Sequence, residues 1–170
     1  EGNYNENHPF GIWKYYFENG KLKSKANFIS KQNSHWTYFH EDGTPRMEGS
    51  IISNNKSGIW KYYYENGNLK STGKYIEGDK NGILDYYYEN GKLKSVADYM
   101  DSIGYYKEFY ESGSVKAQGR LINNKSNGTW TYYYENKQVK SKGDEKNGIR
   151  QGIWKSYHNN GKIAEEGYYD

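Results

Sequence analysis

The side chains best able to do chemistry in this chain are four histidines, a recurring column of glutamates, and two recurring columns of tyrosines and lysines. The histidines are His8, His35, His40 and His158. His35 and His40 share a segment with Glu41 and Asp42. Five residues apart on a strand they point to opposite faces, which makes a poor chelating pair. No metal site is expected from them. The glutamates are Glu18, Glu41, Glu65, Glu89, Glu111 and Glu135. General acid–base work needs two carboxyls in unlike environments. A column repeated six times offers equivalent, solvated ones. Exposed ion pairs with residues such as Lys21 and Lys92 are the expected use, each worth about 0.2–1 kcal/mol.

The aromatic column is Tyr16, Phe39, Tyr63, Tyr87, Phe109, Tyr133 and Tyr157, and the basic one is Lys23, Arg46, Lys70, Lys94, Lys116 and Lys140. Rings beside cations stack and fill space. Exposed tyrosines also make good contact residues. Together the two columns form the candidate binding stripe. No HExxH, GxSxG or phosphate-loop pattern is present, and Gly78-Asp79-Lys80-Asn81-Gly82 has too few oxygen ligands for a calcium loop. The chain contains no cysteine, which excludes disulfides and thiolate catalysis. No catalytic residue and no cofactor are expected.

These columns exist because the chain repeats. Aligned on the residue that opens each unit, seven units start at Gly11, Ser34, Gly58, Gly82, Gly104, Gly128 and Gly152. The steps are 23, 24, 24, 22, 24 and 24 residues, a period that signals a repeat array. Residues 1–10 match the end of a preceding unit, since Glu1-Gly2-Asn3-Tyr4 parallels Thr72-Gly73-Lys74-Tyr75. That beginning in mid-unit, without a starting Met, favours an exported or envelope protein trimmed of its leader.

The third position of the unit carries Trp13, Trp36, Trp60, Trp130 and Trp154, with Leu84 and Tyr106 in the other two. Aromatics at this density favour strands. Each pair of strands surrounds a turn containing Gly20, Gly43, Gly67, Gly91, Gly113 or Gly161, usually after Asn or Asp. Asn-Gly suits a two-residue type I′ turn, in which both central residues need positive φ. Lys137 replaces the glycine in the sixth unit, where a strained or different turn is expected.

Counting across a two-residue turn places the Trp column opposite Ala26, Gly49, Gly73, Ala97, Gly119, Gly143 and Gly167. Each ring would then cover the bare backbone of its own partner. Tyr63 would face Lys70. One face would carry Trp60, Tyr62, Tyr64, Leu69, Ser71 and Gly73 and be buried; Ile59, Lys61, Tyr63, Glu65, Lys70 and Thr72 would lie on the other. Pro45 should occupy an unpaired or edge position. The segment Asp144 to Gln151 departs most from the pattern, with Glu145 and Lys146 where other units have apolar residues, and a local irregularity is expected there.

The unit G-x-W-x-Y-Y-x-E-N-G-x-L-K-x-x-G-x-Y resembles the MORN-repeat variant of bacterial proteins, many of them grouped as YwqK-like antitoxins. The resemblance covers nearly the whole chain. It implies an all-β, elongated array of antiparallel hairpins in a single twisted sheet. It also implies an interaction module, not an enzyme, with a toxin protein as partner in the antitoxin case. Related repeats are linked to membrane or lipid association. The recurring family residues correspond to Gly58, Trp60, Tyr63, Asn66, Gly67, Leu69 and Gly73, and they are structural. The aromatic hairpins also resemble choline- and glucan-binding wall modules, but the Gly-Trp pair those carry after the turn is missing.

A net charge of +3, spread evenly, does not imply nucleic acid. No apolar run approaches the ~20 residues of a membrane helix. The expected function is therefore a non-enzymatic repeat scaffold that binds a partner protein and is antitoxin-like in the terms of the resemblance. A carbohydrate or wall-polymer binder using the tyrosines is the first alternative. A membrane-surface adaptor using the basic column on anionic lipid is the second.

Overall fold

The computed structural model describes residues 2–99 and 103–170. The chain is all-β: β1 (Asn3–Asn5) precedes seven antiparallel hairpins. These are β2 (His8–Tyr16) with β3 (Leu22–Ser30), β4 (Asn33–Phe39) with β5 (Pro45–Ile52), and β6 (Asn55–Tyr63) with β7 (Leu69–Ile76). They continue with β8 (Asp79–Tyr87) and β9 (Leu93–Tyr99), β10 (Ile103–Phe109) and β11 (Val115–Ile122), β12 (Lys125–Tyr133) and β13 (Val139–Lys146), and β14 (Ile149–Tyr157) and β15 (Ile163–Tyr169). Two compact units are formed, residues 1–81 with 89–91, and residues 82–88 with 92–170. Within each unit every strand pairs with its sequence neighbours. No helix among the described residues is long and apolar enough to cross a membrane.

The hairpin tips are not type I′ turns. Gly67 has φ +82, but Asn66 is absent from the residues with positive φ. The Tyr64 amide donates to the Asn68 carbonyl (2.9 Å), and the Gly67 amide to the Tyr64 carbonyl (3.0 Å). This is a three-residue loop closed by a left-handed glycine. Asn66 serves it with its side chain: Oδ1 accepts from the Asn68 amide at 2.9 Å, an Asx turn. Asn19, Asp42, Asn136 and Asn160 do the same for Lys21, Thr44, Gln138 and Lys162. Lys137 does not change the turn type. It adopts φ +71 and repeats the same two hydrogen bonds. Type I′ geometry appears instead in the connectors, with both φ positive at Glu6-Asn7, Ser53-Asn54, Glu77-Gly78, Asn123-Asn124 and Asn147-Gly148.

A three-residue loop would shift the register by one. A bulge restores it. Tyr62 pairs with Ser71 but Tyr63 pairs with Leu69, so Lys70 is the extra residue. Lys23, Arg46, Lys94, Lys116 and Lys140 occupy the same bulge, and Ala164 does in the last hairpin. Trp60 consequently does face Gly73, while the expected pairing of Tyr63 with Lys70 is not formed. Pro45 is not on an edge: it opens β5, an interior strand, and pairs with Phe39. The first residue of a strand is where a missing amide is tolerated.

Consecutive hairpins join in two ways. Where the unit opens with a left-handed glycine, three residues face one. Gly58, Ile59 and Trp60 lie against Gly49, because Glu48 pairs with Lys61 and Ser50 with Ser57. Gly128 and Gly152 open identical bulges against Gly119 and Gly143. The bulge drops the indole onto the preceding glycine: a Cβ on Gly2, Gly49, Gly119 or Gly143 would run into the ring of Trp13, Trp60, Trp130 or Trp154. The indole Nε1 then donates to the next carbonyl, that of Asn3 (3.0 Å), Ser50 (3.0 Å), Arg120 (3.2 Å) or Asp144 (2.9 Å). The expectation that each ring covers its own cross-strand partner is thus corrected. Gly167, directly opposite Trp154, has nothing within 4 Å of where its Cβ would stand.

In the other kind of joint the position holds alanine. Ala26 pairs squarely with Trp36, and Ala97 with Tyr106. These joints open with Ser34 and Gly104, neither of which has positive φ. They are also the two with shorter steps, 23 and 22 residues. Removing one or two residues removes the bulge, and without it there is room for a methyl. Ala26 and Ala97 are buried, as are Trp60, Leu84, Trp130 and Trp154, so the tryptophan side is the buried one as expected; Leu69, expected on that side, pairs with Tyr63 because of the bulge and lies on the other.

Candidate functional site

The tyrosine and lysine columns are brought together near the hairpin tips, but not as paired. Bulging turns each lysine towards the aromatic ring one residue later than the stripe. Lys70 Nζ lies 5.3 Å from the Tyr64 ring centroid, Lys94 5.6 Å from Tyr88, Lys116 6.0 Å from Tyr110, and Lys140 5.7 Å from Tyr134. Lys23 stands 5.9 Å from Phe17. Those rings are themselves anchored. The hydroxyls of Tyr88, Tyr110 and Tyr134 donate to the carbonyls of Phe109, Tyr133 and Tyr157 at 2.7–2.8 Å. Within the second unit each tip is therefore tied to the next, and cations such as Lys94 and Lys140 stay solvent-exposed above the tie.

The stripe residues lie on the other side of the sheet from the tryptophans and are half-covered. Tyr63 donates to Glu48 Oε1 (2.7 Å), and Tyr133 accepts from Gln118 Nε2 (2.8 Å). Burial first, then the bond to Glu48, push the Tyr63 phenol up to about 12. Burial also raises Tyr87, with Asp85 adding to it. Phe39, Phe109 and Tyr157 are half-buried, and Tyr16 is exposed. Ion pairs are formed by Lys61 with Glu48 (3.5 Å), Lys116 with Glu108 (2.8 Å) and Lys155 with Glu166 (3.2 Å). Lys92 Nζ donates to the Glu111 carbonyl (2.7 Å).

Three features escaped the sequence reading. The first is a cation four residues before tryptophan. Lys56 Nζ sits 4.5, 5.1 and 5.4 Å from the rings of Trp60, Tyr62 and Tyr75, and donates to the Tyr62 hydroxyl (2.6 Å). Arg150 stacks on Trp154 (4.2 Å) and Tyr169 (5.5 Å). The signal was Lys56-x-x-x-Trp60 and Arg150-x-x-x-Trp154, visible only once the bulge is known. The second is Glu145. The expected irregularity does not occur, since β13 runs unbroken to Lys146. Glu145 is buried, accepting from Ser126 and, at 2.9 Å, from Tyr132. Burial and that bond push the Tyr132 phenol up to about 12.

The third is a set of exposed isoleucines at the second position of the unit. Ile12 and Ile59 lie in the first compact unit, Ile83 and Ile153 in the second, each more than half exposed. Their side chains alternate with the buried column and so face away from it. His35 holds the same position in the second hairpin and bonds Ser50 Oγ (3.3 Å).

The repeated hairpin, with its tryptophan joint and Asn-Gly loop, is matched by the family model for the MORN repeat variant at residues 11–30, 56–77, 80–101, 103–123, 126–147 and 150–170. The chain belongs to the MORN repeat variant family. The hairpin β4–β5, which opens with Ser34 and carries Pro45, lies outside the matched segments although its tip has the same hydrogen bonds. No curated protein sequence matches the chain. Among solved structures, the crystal structure of TarM is 17% identical over 55% of this chain, with a TM-score of 0.38. The chain spans 18% of TarM. As a MORN repeat variant protein the chain is a repeat scaffold.

Proposed function

We propose that this scaffold is non-enzymatic and binds a partner protein across the open face of its sheet. The observation that carries the reading is the recurrence of exposed isoleucine on that face within each compact unit, Ile12 and Ile59 in the first and Ile83 and Ile153 in the second, beside half-covered tyrosines. Isolated exposed apolar residues need no explanation, but an apolar side chain repeated on one face points to a covered surface. Protein interfaces favour such apolar and aromatic patches with a polar rim. Glu48 with Lys61 supplies the rim in the first unit, and Lys155 with Glu166 in the second.

The test is affinity capture from the native host, followed by binding of the purified, identified partner to wild type and to the double variants Ile12→Glu, Ile59→Glu in the first unit and Ile83→Glu, Ile153→Glu in the second. At least tenfold weaker binding by a variant that melts like wild type supports the reading. Equal binding, or binding of glycans or anionic liposomes in place of any protein, overturns it. The antitoxin-like version names a toxin as the partner and rests on the family resemblance. It is dropped if the neighbouring gene encodes no toxin, or if that product does not bind.

A further inference from the structure

Charge in the first compact unit is sorted by element. Glu48 is the one acidic residue in strands β2 to β7, while Glu18, Glu41, Asp42, Glu65 and Glu77 lie in the tips and connectors. Lysines sit on the same strands, and the register places them. One row runs across β2 to β7: Lys14 opposite Lys25, then Thr37, Glu48, Lys61 and Thr72. Lys74 stands opposite Ile59. Ile12 precedes Lys14 by two residues, as Ile59 precedes Lys61, so isoleucines and lysines share the face turned away from the tryptophans. Glu48 is already engaged by the Tyr63 hydroxyl (2.7 Å) and Lys61 (3.5 Å). Like charges directly opposite destabilise a sheet, yet Lys14 and Lys25 are held so. Ile59 on interior strand β6 is 56% exposed, as open as Ile12 at 52%. The same face of the second unit carries both signs, with Asp98 opposite Ile83, Asp144 opposite Thr129 and Glu166 opposite Lys155.

We propose that this face of the first unit docks an acidic polypeptide segment. The inference rests on the partner-binding reading and names the chemistry of the partner there. Carboxylates of the segment settle over Lys14, Lys25 and Lys74, which lifts the repulsion between the first two. Its apolar side chains cover Ile12 and Ile59. Strand β6 lies four strand spacings from β2, about 19 Å, so the segment runs across the strands. Isoleucine has no flat ring on which a nucleic-acid base stacks, and a purely charged partner would leave both isoleucines wet. The lysines steer the encounter and exclude basic partners, and apolar burial provides adhesion.

The probe is a fluorescein-labelled random copolymer of glutamate and tyrosine, with labelled polyglutamate and phosphatidylserine vesicles alongside. The expected result is saturable binding of the copolymer to the full chain by fluorescence anisotropy, weakened by added salt. Polyglutamate binds less tightly, because it has nothing to cover the isoleucines. Lys25→Glu, Lys74→Glu weakens copolymer binding at least tenfold. Lys107→Glu, Lys142→Glu, the same change of net charge on the second unit, leaves it unchanged. All four lysines are exposed, so both variants fold as wild type does, and matching thermal melts verify this. Absence of copolymer binding, polyglutamate binding as tight as the copolymer's, equal weakening by the two lysine variants, or vesicle binding with the copolymer left unbound overturns the proposal. A captured partner that is sensitive to Ile12→Glu, Ile59→Glu but not to Lys25→Glu, Lys74→Glu overturns it too, and leaves the partner-binding reading standing.

Discussion

Trp154 faces Gly167 across its own hairpin but rests its indole on Gly143 of the hairpin before. The two glycines occupy equivalent positions in sequence and opposite situations in space. Substituting them separates register from packing. Gly143→Leu forces a side chain into the indole and should destabilise the chain by about 1–3 kcal/mol, the ordinary cost of overpacking. Gly167→Leu should fall within about 0.5 kcal/mol of wild type. Urea unfolding of both variants checks the difference. Equal losses would mean that the indole covers its own partner after all.

Trp60 is the most buried large side chain, 1% exposed. Its ring contacts Gly49, its Nε1 bonds the Ser50 carbonyl, and Lys56 caps it. Trp60→Ala removes all three and leaves a void between hairpins, at an expected cost of about 3–5 kcal/mol. Because each hairpin is stabilised chiefly by its neighbours, the loss should first appear as local exchange of amides in β5 to β7. Hydrogen exchange measures this, and a loss under about 1 kcal/mol would place the ring in solvent.

The pairing of Trp60 with Gly73 was legible in the sequence for a reason that was itself wrong. Counting assumed a two-residue loop. The real loop has three, and the bulge at Lys70 absorbs the extra residue. Two deviations cancel between Tyr62 and Trp60, and between them they misplace Tyr63 and Lys70. The basic column was therefore given the wrong ring. The joints were also encoded, in the coincidence of short steps with Ala26 and Ala97 and of 24-residue steps with Gly49, Gly119 and Gly143. That signal is silent until the indole is known to lean backwards, because strand parity alone says which face a ring takes and not which neighbour. The exposed isoleucines stood in plain view at the second position: strand parity already places Ile59 on the face away from Trp60, and only its recurrence as Ile12, Ile83 and Ile153 went unused.

Lys137 holds a conformation that L-residues avoid, φ +71, in a tip otherwise like the glycine-bearing ones. A non-glycine residue there costs roughly 1–2 kcal/mol, while glycine costs more chain entropy on folding. Lys137→Gly should accordingly stabilise the chain by a net amount of about 0.5–1 kcal/mol. Thermal or urea unfolding checks the sign. Destabilisation would show that the lysine side chain makes a compensating contact at the tip.

Three phenols are raised to about 12, each by burial first: Tyr63 with Glu48 next, Tyr75 with Tyr62 next, and Tyr132 with Glu145 next. In the unfolded chain a phenol titrates near 10. Between about pH 10 and 12 the unfolded state therefore gives up protons that the folded state keeps. The stability these groups contribute is present in full below pH 10 and is lost as pH rises towards 12. Urea unfolding at about pH 9 and about pH 11 should show a clear fall. Tyr132→Phe, which cannot ionise, should make that fall shallower, although it also frees Glu145 of a donor and lowers the stability at pH 9. A stability that stays flat through this range would mean that the three hydroxyls are solvated in the folded chain.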